Sequence, residues 1–155
     1  MRKTICPACK KGLIEPVAVA GRRAPFRNIP DLELPATVSI PTCRSCGEEW
    51  FDAKTTEAVQ RALEEAYPQA LGSKAAVAIE ALTQHSTQQE LERLLGLSAG
   101  YLSKIKSGKE VSSPLAALFL LLADDPKRLA DLRRFWRMDG RGKGKPARKA
   151  PRLVD

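Results

Sequence analysis

The chain has 155 residues, of which 43% are hydrophobic and 28% are charged, a balance typical of a soluble globular protein with one domain or two small ones. No apolar run approaches the roughly 20 residues of a membrane span, and the first residues lack the apolar stretch of a secretory signal. We therefore expect a cytoplasmic protein with no membrane partner. The formal net charge of +8 is concentrated in the last thirty residues, which carry 11 Lys and Arg against 3 Asp and Glu.

Four cysteines form two pairs, each with two residues between its members. Cys6 and Cys9 lie at the start of the chain, and Cys43 and Cys46 follow after a gap of 33 residues. A tight turn across such a pair presents both sulfurs to one metal ion, and two pairs complete a tetrahedral shell without an open position. The spacing predicts a zinc ribbon with one structural Zn²⁺ per chain.

Other interpretations of the cysteines stay open. Two disulfides are unfavourable in the cytosol, a thioredoxin-like site requires one pair beside a β-α-β pattern that is absent, and iron is the main rival metal. We do not predict an enzyme, because a zinc hydrolase needs an open metal position with a general base nearby. The chain's single histidine, His85, is remote in sequence from both pairs.

Strands are predicted between the cysteine pairs. Residues 13–20 and 35–40 contain β-branched residues with Pro or Gly at their borders, and residues 48–51 favour a third strand. Residues 21–27 are predicted to form a basic loop, either solvated or in contact with nucleic acid or a partner protein. Residues 1–52 would thus be a small domain in which metal binding supplies the stability that a small core cannot.

Helices are predicted for most of the remaining chain. Asp52 is a suitable N-cap for a helix that ends before Pro68, so residues 53–72 would form a connecting helix and hinge. Residues 73–138 would form a helical domain, beginning with a helix over 74–84. The apolar residues 115–123 predict a core helix that also reaches a second subunit.

The C-terminal part of the chain divides into a last helix and a tail. Pro126 begins a helix in which Leu129, Leu132, Phe135 and Trp136 are predicted to face inward. The tail, residues 139–155, is rich in Gly, Lys, Arg and Pro, and it is predicted to be disordered. Its charge would either add sequence-independent affinity for phosphates or serve solubility.

Residues 87–108 have the pattern of a helix-turn-helix, a unit that places its second helix in the DNA major groove. Thr87 is predicted to cap the first helix, with Glu90 completing a capping box. Gly96 suits the turn, and Ser98 is predicted to cap the second helix. The candidate DNA-binding residues in and beside the unit are Gln88, Ser98, Gly100, Tyr101, Ser103, Lys104, Lys106, Ser107 and Lys109.

These elements together predict a two-domain α+β protein, a zinc ribbon joined to an all-α domain of five helices. The helical part resembles the lambda-repressor-like (Xre) family. A four-cysteine ribbon of the YgiT type, followed by a helix and such a domain, resembles the MqsA-type antitoxin family. The resemblance rests on Thr87-Gln88, Gly96-Leu97-Ser98, Lys106-Ser107-Gly108 and the cysteine-containing segment 43–52.

The resemblance implies a homodimer formed by the C-terminal domain that represses its own operon at a palindromic double-stranded DNA site. It also implies that the zinc domain binds and neutralises a ribonuclease toxin. Gln88 would contact a phosphate, and positions 100 and 104 would read bases. Lys104 can donate to guanine acceptors, with support from Tyr101 and Ser103, whereas Gly100 has no side chain for this purpose.

Glu92 departs from the family pattern, since a small residue usually occupies this position. We expect the glutamate either to lean outward with only its stem in contact or to loosen the packing of the two helices. The alternative function is therefore a zinc-ribbon adaptor that binds a partner protein and has a weak or vestigial DNA-binding domain. The near-neutral charge of residues 73–125 also favours this alternative.

Overall fold

A computed structural model of the chain describes residues 4–136, which form five short strands followed by five helices. The strands are β1 (Thr4–Ile5), β2 (Leu13–Ala18), β3 (Arg23–Phe26), β4 (Ile29–Glu33) and β5 (Ser39–Cys43). The helices are α1 (Ala53–Thr83), α2 (Gln88–Leu94), α3 (Tyr101–Lys106), α4 (Ser113–Asp124) and α5 (Arg128–Phe135).

This element order confirms the predicted α+β class, with a β region that contains the cysteines and a helical region after it. The predicted disordered tail, residues 139–155, lies outside the described residues. Within the described part of the chain, no helix combines the length and the hydropathy that crossing a membrane requires.

The strands form two separate antiparallel sheets. One has the order β1-β2-β5, and the other is the hairpin β3-β4. The first predicted strand corresponds to β2, but the second overlaps only the start of β5, and the third is reduced to a single bridge between Thr42 and Glu49. The segment predicted as a basic loop contains β3, a strand too short for its alternating pattern to be evident from the sequence.

The β3–β4 hairpin packs against α1. The rings of Phe26 and Tyr67 meet edge to face, with centroids 5.7 Å apart, and the Tyr67 hydroxyl donates to Asn28 Oδ1 at 2.6 Å. The guanidinium of Arg27 lies 5.3 Å from the Phe26 centroid and 4.9 Å from that of Tyr67, in cation–π contact with both rings. Buried residues of the hairpin and of the helices belong to one hydrophobic cluster. The core therefore extends across the boundary predicted between the two domains, and the division into domains stays a prediction.

Helix α1 continues for 31 residues through the segment predicted to be a hinge. The predicted N-cap is confirmed, because Asp52 Oδ1 accepts a hydrogen bond of 2.7 Å from the Thr55 backbone N–H. The predicted helix end and the break at Pro68 are wrong. Tyr67 and Leu71, on either side of the proline, are buried in the core, and this packing keeps the chain helical although Pro68 has no N–H to donate.

Helices α3 and α4 pack against α1. Phe119 and Leu122 of α4 and Leu129 of α5 are buried, and Leu132 is half-buried. Phe135 and Trp136, predicted to face inward, are instead 72% and 57% exposed. The residues that bury the inner faces of α2 and α3 are Leu91, Leu94, Leu102 and Ile105.

Gly72 tests the continuity of α1, because it lies inside the helix and a Cβ built there meets no atom within 4 Å. Gly72→Ala should raise the free energy of unfolding by about 1 kcal/mol through helix propensity, as measured by urea unfolding followed by circular dichroism. As a control, Gly96→Ala should lower this free energy, since Gly96 has a φ of 66°. A Gly72→Ala variant without added stability would contradict an unbroken helix.

Candidate metal centre and candidate nucleic-acid interface

The four cysteine sulfurs form one cluster, in which all the Sγ atoms lie within 4.8 Å of one another. Across the two pairs, the Sγ atoms of Cys6 and Cys46 are 3.7 Å apart, as are those of Cys9 and Cys43. A tetrahedral shell with metal–sulfur bonds of about 2.3 Å places neighbouring sulfurs about 3.8 Å apart. The cluster therefore has the size of a four-thiolate metal site, and the cysteines are free rather than joined in disulfides.

Each cysteine pair lies on a turn with the same hydrogen-bonding pattern. The backbone N–H of Lys10 donates to the carbonyl of Cys6 at 2.8 Å, and that of Gly47 donates to Cys43 at 2.9 Å. The residue after each pair is left-handed, with φ of 57° at Lys10 and 75° at Gly47. These equivalent turns direct both sulfurs of a pair toward the same point.

The three-stranded sheet brings the two turns together. In the β2–β5 ladder, Ile14 is paired with Cys43, and the Arg44 N–H donates to the Leu13 carbonyl at 3.2 Å. This pairing places residues near the first turn beside the second turn, although about 30 residues separate them in the chain.

Arg22 links the sheet to the segment that precedes α1. Its guanidinium donates to the Val17 carbonyl at 3.0 Å and to Thr42 Oγ1 at 3.3 Å, and it forms an ion pair of 2.8 Å with Glu49. The Arg22 side chain is only 17% exposed, so these partners offset the burial of its charge. Arg22, predicted to lie in a basic loop, is thus a structural residue.

Backbone donors, neighbouring thiols and burial together set the pKa values of the sulfurs. Hydrogen bonds from the backbone of Lys11 and Gly12 lower the pKa of Cys9 to about 6, and the backbone of Cys46 lowers the pKa of Cys43. At Cys46 a backbone hydrogen bond from Glu48 acts to lower the pKa, but the neighbouring thiol of Cys43 and burial raise it to about 12. The last thiolate therefore forms readily only when a cation balances the charge of the others.

Gly12 belongs to this site, although it was not among the residues predicted for it. A Cβ at this position would lie 2.5 Å from Cys43 Sγ and 2.6 Å from Ser45 Oγ. The Gly12 N–H also donates to Cys9 Sγ at 3.4 Å. The available signal was a glycine three residues after the first cysteine pair, where a turn brings the backbone close to a sulfur.

Gly12→Ala should reduce metal affinity at least about tenfold, a loss typical when groups supporting metal ligands are changed, because the added methyl displaces Cys43 Sγ. Competition for Zn²⁺ against a chromophoric chelator measures the effect. Gly72→Ala makes the same chemical change far from the cysteines and should leave the affinity unchanged. Wild-type affinity in Gly12→Ala would show that this close packing is not needed for metal binding.

Helices α2 and α3 lie where the sequence predicted two helices joined by a turn. Thr87 Oγ1 accepts from the Glu90 N–H at 3.2 Å, and Gly96 in the turn has a φ of 66°, as predicted. The capping box is only half formed. The Glu90 carboxylate instead accepts from the Ser86 hydroxyl at 2.7 Å and from Arg133 at 2.8 Å, and these two partners lower its pKa.

The start of α3 differs from the prediction. The N-cap position is occupied by Gly100 rather than Ser98, with a left-handed φ of 76° and no side chain to cap the helix. The Glu92 carboxylate takes this role, accepting from the N–H groups of Gly100 at 3.0 Å and Leu102 at 3.1 Å. Glu92 is only 3% exposed, so the expected outward lean is wrong.

The Glu92 carboxylate remains charged in this buried position. Burial acts to raise its pKa, but hydrogen bonds from the Leu102 and Gly100 backbones and from the Gln88 side chain lower it below the usual value. The positive end of the α3 helix dipole also favours the anion. The Glu92 carboxylate therefore interacts with the N-terminus of α3.

The other candidate DNA-binding residues mostly lie along one side of α3. Ser103, Lys104 and Ser107 are exposed at three- and four-residue spacing, opposite the buried inner face, and Lys106 is exposed on the flank. The ammonium of Lys109 lies 4.2 Å from the centroid of the Tyr101 ring.

The two remaining candidates precede α3. Gln88 lies on α2 and donates to Ser103 Oγ at 2.8 Å, which connects it to the exposed side of α3. Ser98 is exposed in the turn. The structure thus gathers most of the candidates on one surface, whereas their contacts with DNA stay predictions.

No protein-family model matches this chain, and no curated protein is significantly similar to it. The features of the chain that bear on function are the cysteine cluster and the exposed side of α2 and α3.

Proposed function

We propose that this protein is a DNA-binding transcriptional regulator stabilised by one structural Zn²⁺ ion. The main support is that α2 and α3 bury their apolar sides in the common core and leave Ser103, Lys104 and Ser107 on one exposed side. In a helix-turn-helix, the corresponding side of the second helix enters the major groove.

The chemistry of this surface suits contact with DNA. The Lys104 ammonium offers donors to guanine O6 and N7, and Lys106 and Ser107 offer donors to phosphates at the end of the helix. The burial of Glu92 favours this function over a vestigial unit, because its carboxylate is satisfied internally and does not project toward the phosphates.

The metal has a structural role in this proposal. The four thiolates of Cys6, Cys9, Cys43 and Cys46 would fill a tetrahedral shell, leaving no position for a substrate or a reactive water. When bound, the ion would supply free energy of folding by joining the two turns. The order of ribbon, helix and helix-turn-helix is similar to that in MqsA-type antitoxins, so the proposal extends to repression at a palindrome and to binding of a toxin by the cysteine-containing region.

Lys104→Glu tests the DNA-binding surface. Selection from a pool of random DNA duplexes by the metal-loaded full chain should recover a sequence motif, whose affinity is then measured at fixed salt. Lys104→Glu should weaken binding to the recovered site at least about tenfold, because a base donor is lost and an acid faces the DNA.

Lys74→Glu is a matched control, since Lys74 is exposed on α1 and the substitution makes the same charge change away from α3. This variant should retain nearly all sequence selectivity. Failure of the wild-type protein to select any motif would contradict the proposed function.

The helical region also has an exposed apolar surface formed by α4 and α5. Leu121 is 49% exposed, and the rings of Phe135 and Trp136 meet edge to face with centroids 4.9 Å apart. The surface, here called the α4–α5 surface, consists of Leu118, Leu121, Leu132, Phe135 and Trp136. We propose that a second copy of the chain covers it, because a palindrome requires two copies related by a two-fold axis.

Leu121→Asp should raise the dimer dissociation constant about tenfold to hundredfold, because it replaces a leucine that would be buried between copies. Sedimentation equilibrium measures this change. Val77→Asp on α1 is the control, since Val77 is 69% exposed and lies outside the α4–α5 surface. A monomeric wild-type protein that selects no DNA sequence would instead favour the adaptor function, with another protein on this surface.

A further inference from the structure

Three polar side chains connect the core of the α2–α3 unit to its exposed side. Gln88 Nε2 lies 3.2 Å from Glu92 Oε1 and 2.8 Å from Ser103 Oγ. The ionised Glu92 carboxylate can only accept hydrogen bonds, so the amide nitrogen of Gln88, and not its oxygen, must face it. This requirement fixes the orientation of the Gln88 amide.

The hydrogen bonds within this group determine which side chain still has a donor for DNA. The Gln88 amide nitrogen carries two hydrogens, and both are used, one toward Glu92 and one toward Ser103. Phosphate oxygens need a donor, and the Gln88 side chain has none left. Ser103 Oγ accepts from Gln88, and across residues 4–136 no protein acceptor receives the hydrogen of the Ser103 hydroxyl.

We propose that Glu92, Gln88 and Ser103 form a hydrogen-bond relay that presents the Ser103 hydroxyl as a donor to DNA. Gln88 is then a positioning residue, not the phosphate contact that the family resemblance implies. The inference rests on the proposed DNA-binding function. The acceptor on the DNA is an oxygen or nitrogen atom, on a base edge or on a phosphate.

The relay depends on the fixed position of the Glu92 carboxylate. Its carboxylate is anchored by the N–H groups of Gly100 and Leu102, so its position is fixed relative to α3. Gln88 extends from this fixed point to Ser103, which lies on the same side of α3 as Lys104. Because Ser103 Oγ already accepts a hydrogen bond from this fixed amide, the Ser103 O–H points away from Gln88 before DNA arrives.

A double-mutant cycle with Gln88→Met and Ser103→Ala tests the relay on the DNA site selected by the wild-type protein. Gln88→Met removes the amide at nearly constant length and leaves Glu92 in place as the cap of α3. Each single variant should bind about tenfold more weakly, as expected for one hydrogen bond to a charged or polar acceptor. The double variant should bind no more weakly than either single variant, since both changes break the same chain.

If the two losses of DNA affinity multiply, the double variant should bind about a hundredfold more weakly than the wild-type protein. This result would overturn the relay, because Gln88 and Ser103 would then act independently. An unchanged affinity in Gln88→Met would also overturn it. Gln88→Met combined with Lys104→Ala is the control, for which the losses should multiply. A wild-type protein that selects no sequence overturns both the relay and the proposed function, whereas intact selection with multiplied losses overturns the relay alone.

The same variants identify the acceptor. If Ser103 donates to a base, Ser103→Ala should relax selectivity at one position of the recovered motif. If Ser103 donates to a phosphate, the variant should weaken binding to all sequences by a similar factor. Circular dichroism and urea unfolding of each variant confirm that differences in DNA affinity do not arise from loss of the fold.

Discussion

The buried face of α1 is the feature on which the rest of the fold depends. Leu63, Tyr67, Leu71, Ala75 and Ile79 recur at four-residue intervals and lie in the common core. The hairpin, α3 and α4 all pack against α1. A buried leucine or isoleucine contributes about 1.5–3 kcal/mol, so several of them exceed the roughly 3 kcal/mol that a proline costs inside a helix.

The region around the cysteines is stabilised differently. The hydrophobic cluster includes residues of the β3–β4 hairpin but not Ile40 or the cysteines of the three-stranded sheet. That sheet is instead held together by its ladders, by the Arg22 contacts and by the sulfur cluster. A metal ion bound there would stabilise the part of the chain that the common core does not reach.

The α2–α3 unit shows how a buried charge can be structural. Moving an ionised carboxylate out of water costs several kcal/mol, so an acid in a helix interface persists only when hydrogen bonds satisfy it. Here Glu92 supplies the cap that Gly100 lacks, which explains an acid at a position where a small residue was expected. The same carboxylate orders Gln88, so capping and the proposed DNA contact depend on one side chain.

The sequence by itself determined the features that depend on neighbours along the chain. The caps at Asp52 and Thr87, the turn at Gly96 and the spacing within each cysteine pair involve residues only a few positions apart. Local patterns also indicated the α+β class and the four cysteines as a metal cluster.

Only the tertiary structure decided the features that depend on distant residues. Helix α1 passes through Pro68 because the hairpin covers Tyr67, and Gly12 is required because Cys43 packs against it. Glu92 is buried because its carboxylate caps α3, where it accepts a hydrogen bond from the Leu102 N–H ten residues later. Phe135 and Trp136 at the end of α5 are exposed, whereas Phe119, Leu122 and Leu129 are buried. Periodicity identifies an apolar side chain, but which surface covers it is set by packing between distant segments.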